Sequence, residues 1–202
     1  MSQQNPPLFC KPAIGNHETV HTEFVPGING TISFKSLELK TELPIIHEWV
    51  NMDYTRAFWQ LNGHYSQLFA IYQCMELNPY SHSFTGFLNN EMICQFDVYS
   101  VFADELKEHV EQEANDCGFH LLMSPIKKAI PGLTVAVIKS FLNYYFSFPE
   151  AKRMYAEPDV NNSKSIDLLV RCGFEKVKVV DMSYKRAEVY ITSPLPLSKG
   201  EG

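Results

Sequence analysis

The sequence lacks the features that mark nucleic-acid-binding, membrane and secreted proteins. Among its 202 residues, 17 basic side chains face 23 acidic ones, the net charge is −6, and no basic stripe is present. No apolar run approaches the roughly 20 residues that span a bilayer. The first residues also lack the basic and apolar regions of a signal peptide. We therefore expect a cytoplasmic protein with neither nucleic-acid nor membrane partners.

Metal and disulfide signals are also missing. The five cysteines are widely spaced and form no C-x-x-C pair, which excludes a zinc ribbon and favours a reducing compartment. The segment from His17 to His21 matches the H-E-x-x-H pattern of zinc proteases, but prolines and glycines flank it and Thr19 and Val20 are β-branched. Because this chemistry needs a rigid helix, we predict a strand or arm there and no bound metal.

What is present indicates one domain with a substantial core. Hydrophobic residues make up 45% of the chain and charged residues only 20%. Frequent proline and glycine before residue 30 predict an extended N-terminal arm over 1–29, with a short strand near 20–25. The regular pattern from 30 to 192 predicts the domain proper, and 193–202 a flexible tail.

Hydrophobic periodicity predicts alternating strands and helices. Strands are expected at 31–39, 82–88, 92–101, 119–123, 153–157, 174–180 and 183–192. Helices are expected from a cap at Thr41, then at 54–61, 65–77, 103–115, 133–148 and 162–172, the last closed by a left-handed Gly173. This order predicts a mixed α/β fold with a central sheet.

Several blocks resemble one enzyme superfamily. Asn162, Ser165, Ile166, Gly173 and Phe174 match the spacing of the second conserved block of the GNAT acyl-CoA N-acyltransferases. The stretches D-C-G-F-H-L-L-M (116–123), Y-K-R-A (184–187), N-M-D-Y-T-R-A-F-W (51–59) and Q-F-D-V-Y (95–99) resemble blocks of its hydroxamate siderophore group, of the aerobactin, alcaligin, rhizobactin and mycobactin type. The resemblance covers about 30–192 and implies the GNAT fold. In that fold a mostly antiparallel mixed sheet is flanked by helices, and acyl-CoA binds where the central strands splay.

The resemblance implies two catalytic residues, His120 and Asp159. An unperturbed imidazole titrates near neutrality, so His120 suits the uptake of a proton from the attacking amine. Asp159 would orient His120 or hold the substrate hydroxyl. A backbone N–H within 121–123 would stabilise the oxyanion.

Acyl-CoA is expected at the end of one strand, in the following loop and at two helix starts. The residues assigned to it are Leu122, Met123, Lys127, Lys128, Gly132, Leu133, Thr134, Asn162 and Ser165. The phosphate loop departs from the superfamily because it keeps only one glycine, so Lys127 and Lys128 would replace the usual arginine charge. Leu169 stands where many GNAT enzymes have a tyrosine that protonates the thiolate, and Tyr184 replaces the histidine of the siderophore group's H-K-R-A strand.

The implied function is transfer of an acetyl or succinyl group from acyl-CoA to a hydroxylated amine, which yields a hydroxamate for a siderophore. N-hydroxyputrescine, N-hydroxycadaverine and N6-hydroxylysine are the candidate acceptors, held by Trp59, Asp97 and Tyr99. Two alternatives stay open: a GNAT acetyltransferase of a polyamine or aminoglycoside, and a GNAT domain that binds CoA without catalysis. A homodimer is also left open.

Overall fold

The computed structural model describes residues 6–56, 58–125 and 129–194. Over this part of the chain the strands are β1 (Thr19–Val25), β2 (Gly30–Ser36), β3 (Ser81–Leu88), β4 (Glu91–Ser100), β5 (Cys117–Met123), β6 (Met154–Ala156), β7 (Glu175–Asp181) and β8 (Arg186–Thr192). The α-helices are α1 (Leu43–Val50), α2 (Asp53–Arg56), α3 (Tyr65–Leu77), α4 (Leu133–Tyr145) and α5 (Ser163–Arg171).

Most predicted elements are confirmed, and one predicted helix is wrong. The bounds of α3 agree with the prediction at both ends. The predicted surface helix at 103–115 is replaced by two short 3-10 turns, Val101–Ala103 and Glu105–Glu108. The Asp104 side chain accepts a hydrogen bond from the Leu106 N–H at 2.8 Å, while Val101 and Leu106 are fully buried. Local capping and the burial of single apolar residues therefore replace a continuous amphipathic face.

The strands form a sheet in the order β1-β2-β3-β4-β5-β6-β8-β7 over the described residues. The pair β5–β6 is parallel and the other neighbours are antiparallel. Only two residue pairs join β5 to β6, Cys117 with Met154 and Gly118 with Tyr155. Beyond them β5 runs on to Met123 without β6 beside it. This opening, which we call the strand gap, is the main irregularity of the sheet.

Helices cover both faces of the sheet. Alternation along β5 sends Phe119 into the core with α4 and Leu122 into a second core with α1 and α3, so these helices lie on opposite faces. Aromatic side chains fill the α4 side, where the Phe96 and Phe141 rings stack at 4.0 Å between centroids. The strand gap therefore connects two differently lined halves of the molecule.

The N-terminal segment is part of this sheet and core. β1, which lies within the predicted arm, pairs with β2, and His21 lies in that strand. Residues 19–21 of the H-E-x-x-H segment therefore lie in a strand and 17–18 precede it, in agreement with the predicted strand or arm. Leu8 and Cys10 are buried in the α4-side core. Among the described helices, none has the length and apolar content needed to cross a membrane.

Candidate active site

A cavity of about 540 Å3 extends through the strand gap. On the α3 side its walls include Trp59, Ile71 and Met75, and on the other side Ile138 of α4 and Leu169 of α5. The side chains of His120 and Glu157 line it near the gap. Two compartments therefore meet at one titratable pair.

His120 and Glu157 form that pair. The Nε2 atom of His120 lies 2.6 Å from Oε1 of Glu157, and the Tyr99 hydroxyl donates to Oε2 at 2.6 Å. The Glu157 side chain is 1% exposed, whereas that of His120 is 40% exposed. The Lys185 Nζ is 3.7 Å from the same carboxylate. The carboxylate is thus buried behind the imidazole, and the imidazole faces the cavity.

The charges of this pair stabilise each other. Burial disfavours the imidazolium, but the Glu157 carboxylate outweighs it and raises the pKa of His120 above its ordinary 6.5. Burial also disfavours the carboxylate, but the His120 charge and hydrogen bond, together with Lys185, lower the pKa of Glu157 to about 2. An ionised Glu157 accepts from Nε2–H, which leaves Nδ1 of a neutral His120 as the basic nitrogen.

The 116–123 block positions the pair. A Cβ on Gly118 would lie 2.2 Å from the Tyr99 ring, so glycine lets Tyr99 cross the strand toward Glu157. The fully buried Asp116 accepts from Arg153 Nε at 3.0 Å and from the Glu113 N–H at 2.7 Å. Arg153 directly precedes β6, so this ion pair fixes the start of β5 against the start of β6. The aspartate and glycine of the block thus support the histidine.

Backbone groups of β5 face the strand gap. The Cys117 N–H donates toward β6, to the Arg153 carbonyl at 3.4 Å. Because peptide groups alternate along a strand, those of Leu121 and Met123 face the same side. The Met123 carbonyl accepts from the Tyr54 hydroxyl at 2.8 Å. The Leu122 side chain is buried with α1 and α3, so the geometry favours Leu121 and Met123 over Leu122 for contacts across the gap.

The α3 side of the cavity contains a buried polar cluster around Asp97. Asp97 pairs with His120 across β4 and β5. Its carboxylate accepts from the Tyr72 hydroxyl at 3.0 Å and from the Gln95 amide. Burial, only partly offset by these hydrogen bonds, raises the pKa of Asp97 to about 6. Trp59 places its ring edge-on to His120, at 6.2 Å between centroids, and within the described chain its buried indole N–H has no hydrogen-bond partner.

The opposite side contains two helix starts. The Asn162 side chain caps α5 by accepting from the Ser165 N–H at 3.2 Å, and Gly173 ends the helix with φ +91°, as predicted. Gly132 precedes α4 with φ +79°, a conformation that suits glycine. The first N–H groups of a helix lack intrahelical acceptors and attract anions, and Thr134 lies in this turn.

The structure brings some predicted residues together and separates others. The predicted residues that line the cavity are Trp59, Asp97, Tyr99, His120, Asp159, Asn162 and Ser165. Leu133 is buried in the core, and Lys127 and Lys128 lie outside the described residues.

The two carboxylates near His120 have different contacts. Asp159 accepts from the Asn161 N–H at 2.8 Å and from its side-chain amide at 3.0 Å, whereas the carboxylate that contacts His120 belongs to Glu157. Sequence reasoning gave Glu157 no role. Its position two residues before Asp159 was the available signal.

Comparison with known proteins identifies the family. The sequence model described as an acetyltransferase (GNAT) domain matches residues 38–182. The chain belongs to the GNAT family. The eight-stranded described sheet and its strand gap are therefore those of a GNAT domain, and the predicted fold is confirmed.

Two curated relatives and two solved structures are similar to this GNAT domain. A putative lysine N-acyltransferase of Schizosaccharomyces pombe is 29% identical over 84% of this chain and 51% of its own length. The N5-hydroxyornithine:cis-anhydromevalonyl coenzyme A-N5-transacylase of Beauveria bassiana is 24% identical over 88% of this chain and 39% of its own. The chain thus spans about half or less of these relatives.

The solved structures share the fold. An uncharacterised Bacillus halodurans protein superposes with a TM-score of 0.81, at 22% identity, over 87% of this chain and 92% of its own. An aminoglycoside acetyltransferase in complex with coenzyme A superposes with a TM-score of 0.70, at 16% identity, over 80% and 94%. At these identities the likeness establishes the fold alone.

Proposed function

We propose that this GNAT domain transfers an acetyl or succinyl group from acyl-CoA to the nitrogen of an N-hydroxylated amine, in the biosynthesis of a hydroxamate siderophore. The observation that carries the proposal is the ionised Glu157 behind an accessible His120 at the strand gap. The sequence blocks of the siderophore group and the hydroxyornithine transacylase relative support the hydroxylated acceptor.

The acyl donor would occupy the α4–α5 side of the gap. The β5 backbone at Leu121 and Met123 and the starts of α4 and α5 provide N–H groups of the kind that bind an extended thioester arm and phosphates. Gly132, Thr134, Asn162 and Ser165 lie at these two helix starts, and the proposal assigns them to donor binding. The donor supplies an activated acyl group with a thiolate as a good leaving group. That property removes the need for the tyrosine that Leu169 replaces.

The acceptor would occupy the α3 side, beside Trp59. Its nitrogen attacks the thioester carbonyl carbon, the C–S bond breaks, and the proton on nitrogen passes to Nδ1 of His120. Glu157 holds Nε2–H and stabilises the resulting imidazolium. A Leu121 or Met123 N–H would stabilise the developing oxyanion. The departing thiolate takes up a proton as the His120 imidazolium gives one back, directly or through water. The products are a hydroxamate, coenzyme A thiol and neutral His120, so atoms and charge balance.

The charges of the cavity favour an acceptor with a second, cationic group. Asp97, Asp104 and Asp159 line it, whereas His120 and Lys185 both lie against Glu157. A hydroxylated diamine fits this balance, with its distal ammonium directed to Asp97. The same carboxylates favour the second candidate, acetyl transfer to a polyamine or aminoglycoside, because those acceptors are polycationic.

A thiol-release assay separates the candidates. The purified chain is given acetyl-CoA or succinyl-CoA with N-hydroxyputrescine, N-hydroxycadaverine, N6-hydroxylysine, putrescine or spermidine. We expect the hydroxylated amines to have higher kcat/KM than the plain ones. Faster turnover of the plain amines supports the second candidate instead. Coenzyme A binding without turnover of any amine identifies a non-catalytic domain.

The role of His120 is tested in the same assay. We expect His120→Ala to lose about 10²-fold or more in kcat while coenzyme A affinity stays within about twofold, because the imidazole moves a proton and does not anchor the donor.

A further inference from the structure

The N-terminal segment makes an unusual contact with the end of α3. The Lys11 ammonium lies within hydrogen-bond distance of four backbone carbonyls: Met75 at 3.2 Å, Glu76 at 2.7 Å, Asn78 at 2.7 Å and Ser81 at 3.1 Å. Lys11 is 64 to 70 residues away from these acceptors in sequence. One side chain thus connects the helix end, the following turn and the first residue of β3.

The chemistry of this contact is that of a helix cap. The last carbonyls of a helix lack intrahelical donors, and the helix dipole favours a cation at that end. Burial lowers the pKa of Lys11, with Glu76 opposing that shift. The three N–H groups of the ammonium are shared among the four carbonyls, those of Met75 and Glu76 in the helix and those of Asn78 and Ser81 beyond it. A cap for α3 alone would need only the first two.

Neighbouring residues hold the same turn. The Leu8 N–H donates to the Pro79 carbonyl at 2.8 Å, and the Asn78 side chain accepts from the Tyr80 N–H at 2.9 Å. Leu8 and Cys10 are buried, and the Cys10 carbonyl accepts from the Tyr144 hydroxyl of α4 at 3.1 Å. The segment is therefore fixed to the core on one side and to the turn on the other.

The turn it holds is a wall of the cavity. Met75, Asn78, Tyr80 and Ser81 all line the α3 side, where the acceptor is placed under the proposed function. Among the described residues, the Lys11 side chain makes no hydrogen bond to an element on the α4–α5 side. The segment also precedes residues 38–182, over which the family match extends.

We propose that residues 8–11 form an acceptor-wall brace, in which Lys11 is a positioning residue for acceptor binding. The brace fixes the 75–81 wall and thereby the width and shape of the acceptor side. Residues 8 and 10 also pack against the α4-side core, but the Lys11 ammonium bonds only to the 75–81 wall among the described residues, so removing it should spare the donor side and the His120–Glu157 pair. This inference rests on the proposed placement of the acceptor, although it holds for any amine that the protein acylates.

Lys11→Met tests the brace, because methionine keeps an unbranched chain and removes the ammonium. With whichever amine the wild type acylates best, we expect the acceptor KM to rise about tenfold, the scale of one lost charge-assisted hydrogen bond. The KM for acyl-CoA should stay within about twofold. Lys40→Met, the same change at an exposed lysine, is the matched control and should alter neither value. An unchanged acceptor KM, or equal changes in both KM values, overturns the proposal.

Two further measurements keep the test decisive. If Lys11→Met does not fold, Lys11→Arg replaces it: the larger guanidinium must widen the carbonyl cradle, so the acceptor KM should still rise, and an unchanged value overturns the brace. Hydrogen exchange needs no substrate. Amides of 75–81 should exchange faster in Lys11→Met while β5 is unchanged, and equal exchange in both proteins contradicts the brace. If no amine is acylated, the proposed function fails, while the exchange result still decides the brace.

Discussion

Replacing the buried carboxylate Glu157 by its uncharged isostere is the sharpest test of the active-site geometry. Glu157→Gln keeps the shape of the side chain and removes the charge behind His120. The pKa of Glu157 is about 2 against an ordinary 4.5, a difference of about 2.5 units. At 1.36 kcal/mol per unit this corresponds to about 3 kcal/mol in favour of the charged form.

The effect on His120 follows from the same interaction. In the wild type Glu157 raises the pKa of His120 above 6.5, so activity should fall as the pH drops through a value above 6.5. Without that charge, burial and Lys185 both act to lower the pKa of His120. We expect the acid limb of kcat/KM to move to lower pH. A weaker base with an unfixed tautomer should also lower kcat on the plateau by about 10²-fold.

The assay is thiol release from acyl-CoA over about pH 5 to about pH 8, the range in which histidine titrates. Glu175→Gln, the same change at an exposed position of β7, is the matched control and should leave the profile in place. The reasoning is refuted if the acid limb of Glu157→Gln coincides with that of the wild type. If Asp159→Asn moves the limb and Glu157→Gln does not, the functional partner of His120 is Asp159.

Three further predictions concern other groups. Asp97 loses its charge as the pH falls through about 6, so the KM of a diamine acceptor should rise below that pH. In steady-state kinetics, Asp97→Asn should raise this KM and make it independent of pH over the same range. A KM that still rises below about pH 6 in the variant contradicts the assignment. Gly118→Ala should lower the free energy of unfolding, measured by chemical denaturation, by about 1–3 kcal/mol, because the new methyl group would collide with Tyr99. Gly27→Ala, with open space around the new methyl group, is the control. Equal stability of the two variants counts against the packing argument. Burial lowers the pKa of His82 from 6.5 to about 4, so about 3 kcal/mol of stability is lost as the pH falls from 6.5 towards 4 and the histidine becomes protonated. His82→Gln should flatten the dependence of the unfolding free energy on pH over that interval. An unchanged pH dependence in the variant rules out this role of His82.

Local patterns predicted the elements of this fold better than its contacts. α3 was predicted at both ends because its apolar spacing is regular and Asn78-Pro79 terminates it. The segment at 103–115 has a helical pattern, but single buried residues and the Asp104 cap decide its structure. Such tertiary effects do not appear in a window of sequence.

In the active site, too, a local pattern was predictable and a long-range contact was not. The position of His120 could be predicted because a distinctive block surrounds it. Its partner Glu157 could not be predicted, because it is 37 residues away in sequence. The pair is strong because Glu157 is buried, and that environment includes Tyr99 from β4 and Lys185 from the loop before β8. A charged residue before a proline gives no local sign that it is 1% exposed. The brace at Lys11 depends equally on a contact across the chain.

The strand gap has a consequence for the order of events in catalysis. Because the cavity is lined from both faces of the sheet where β5 and β6 separate, its two compartments lie on opposite sides of the sheet. If the donor and the acceptor occupy these two sides, as proposed, neither has to pass the other to reach the strand gap. The sheet then separates the two substrates except at the strand gap, and both have to be bound at the gap together for the acyl group to move. Under the proposed function, this arrangement predicts direct transfer within a ternary complex, without an acylated form of the protein.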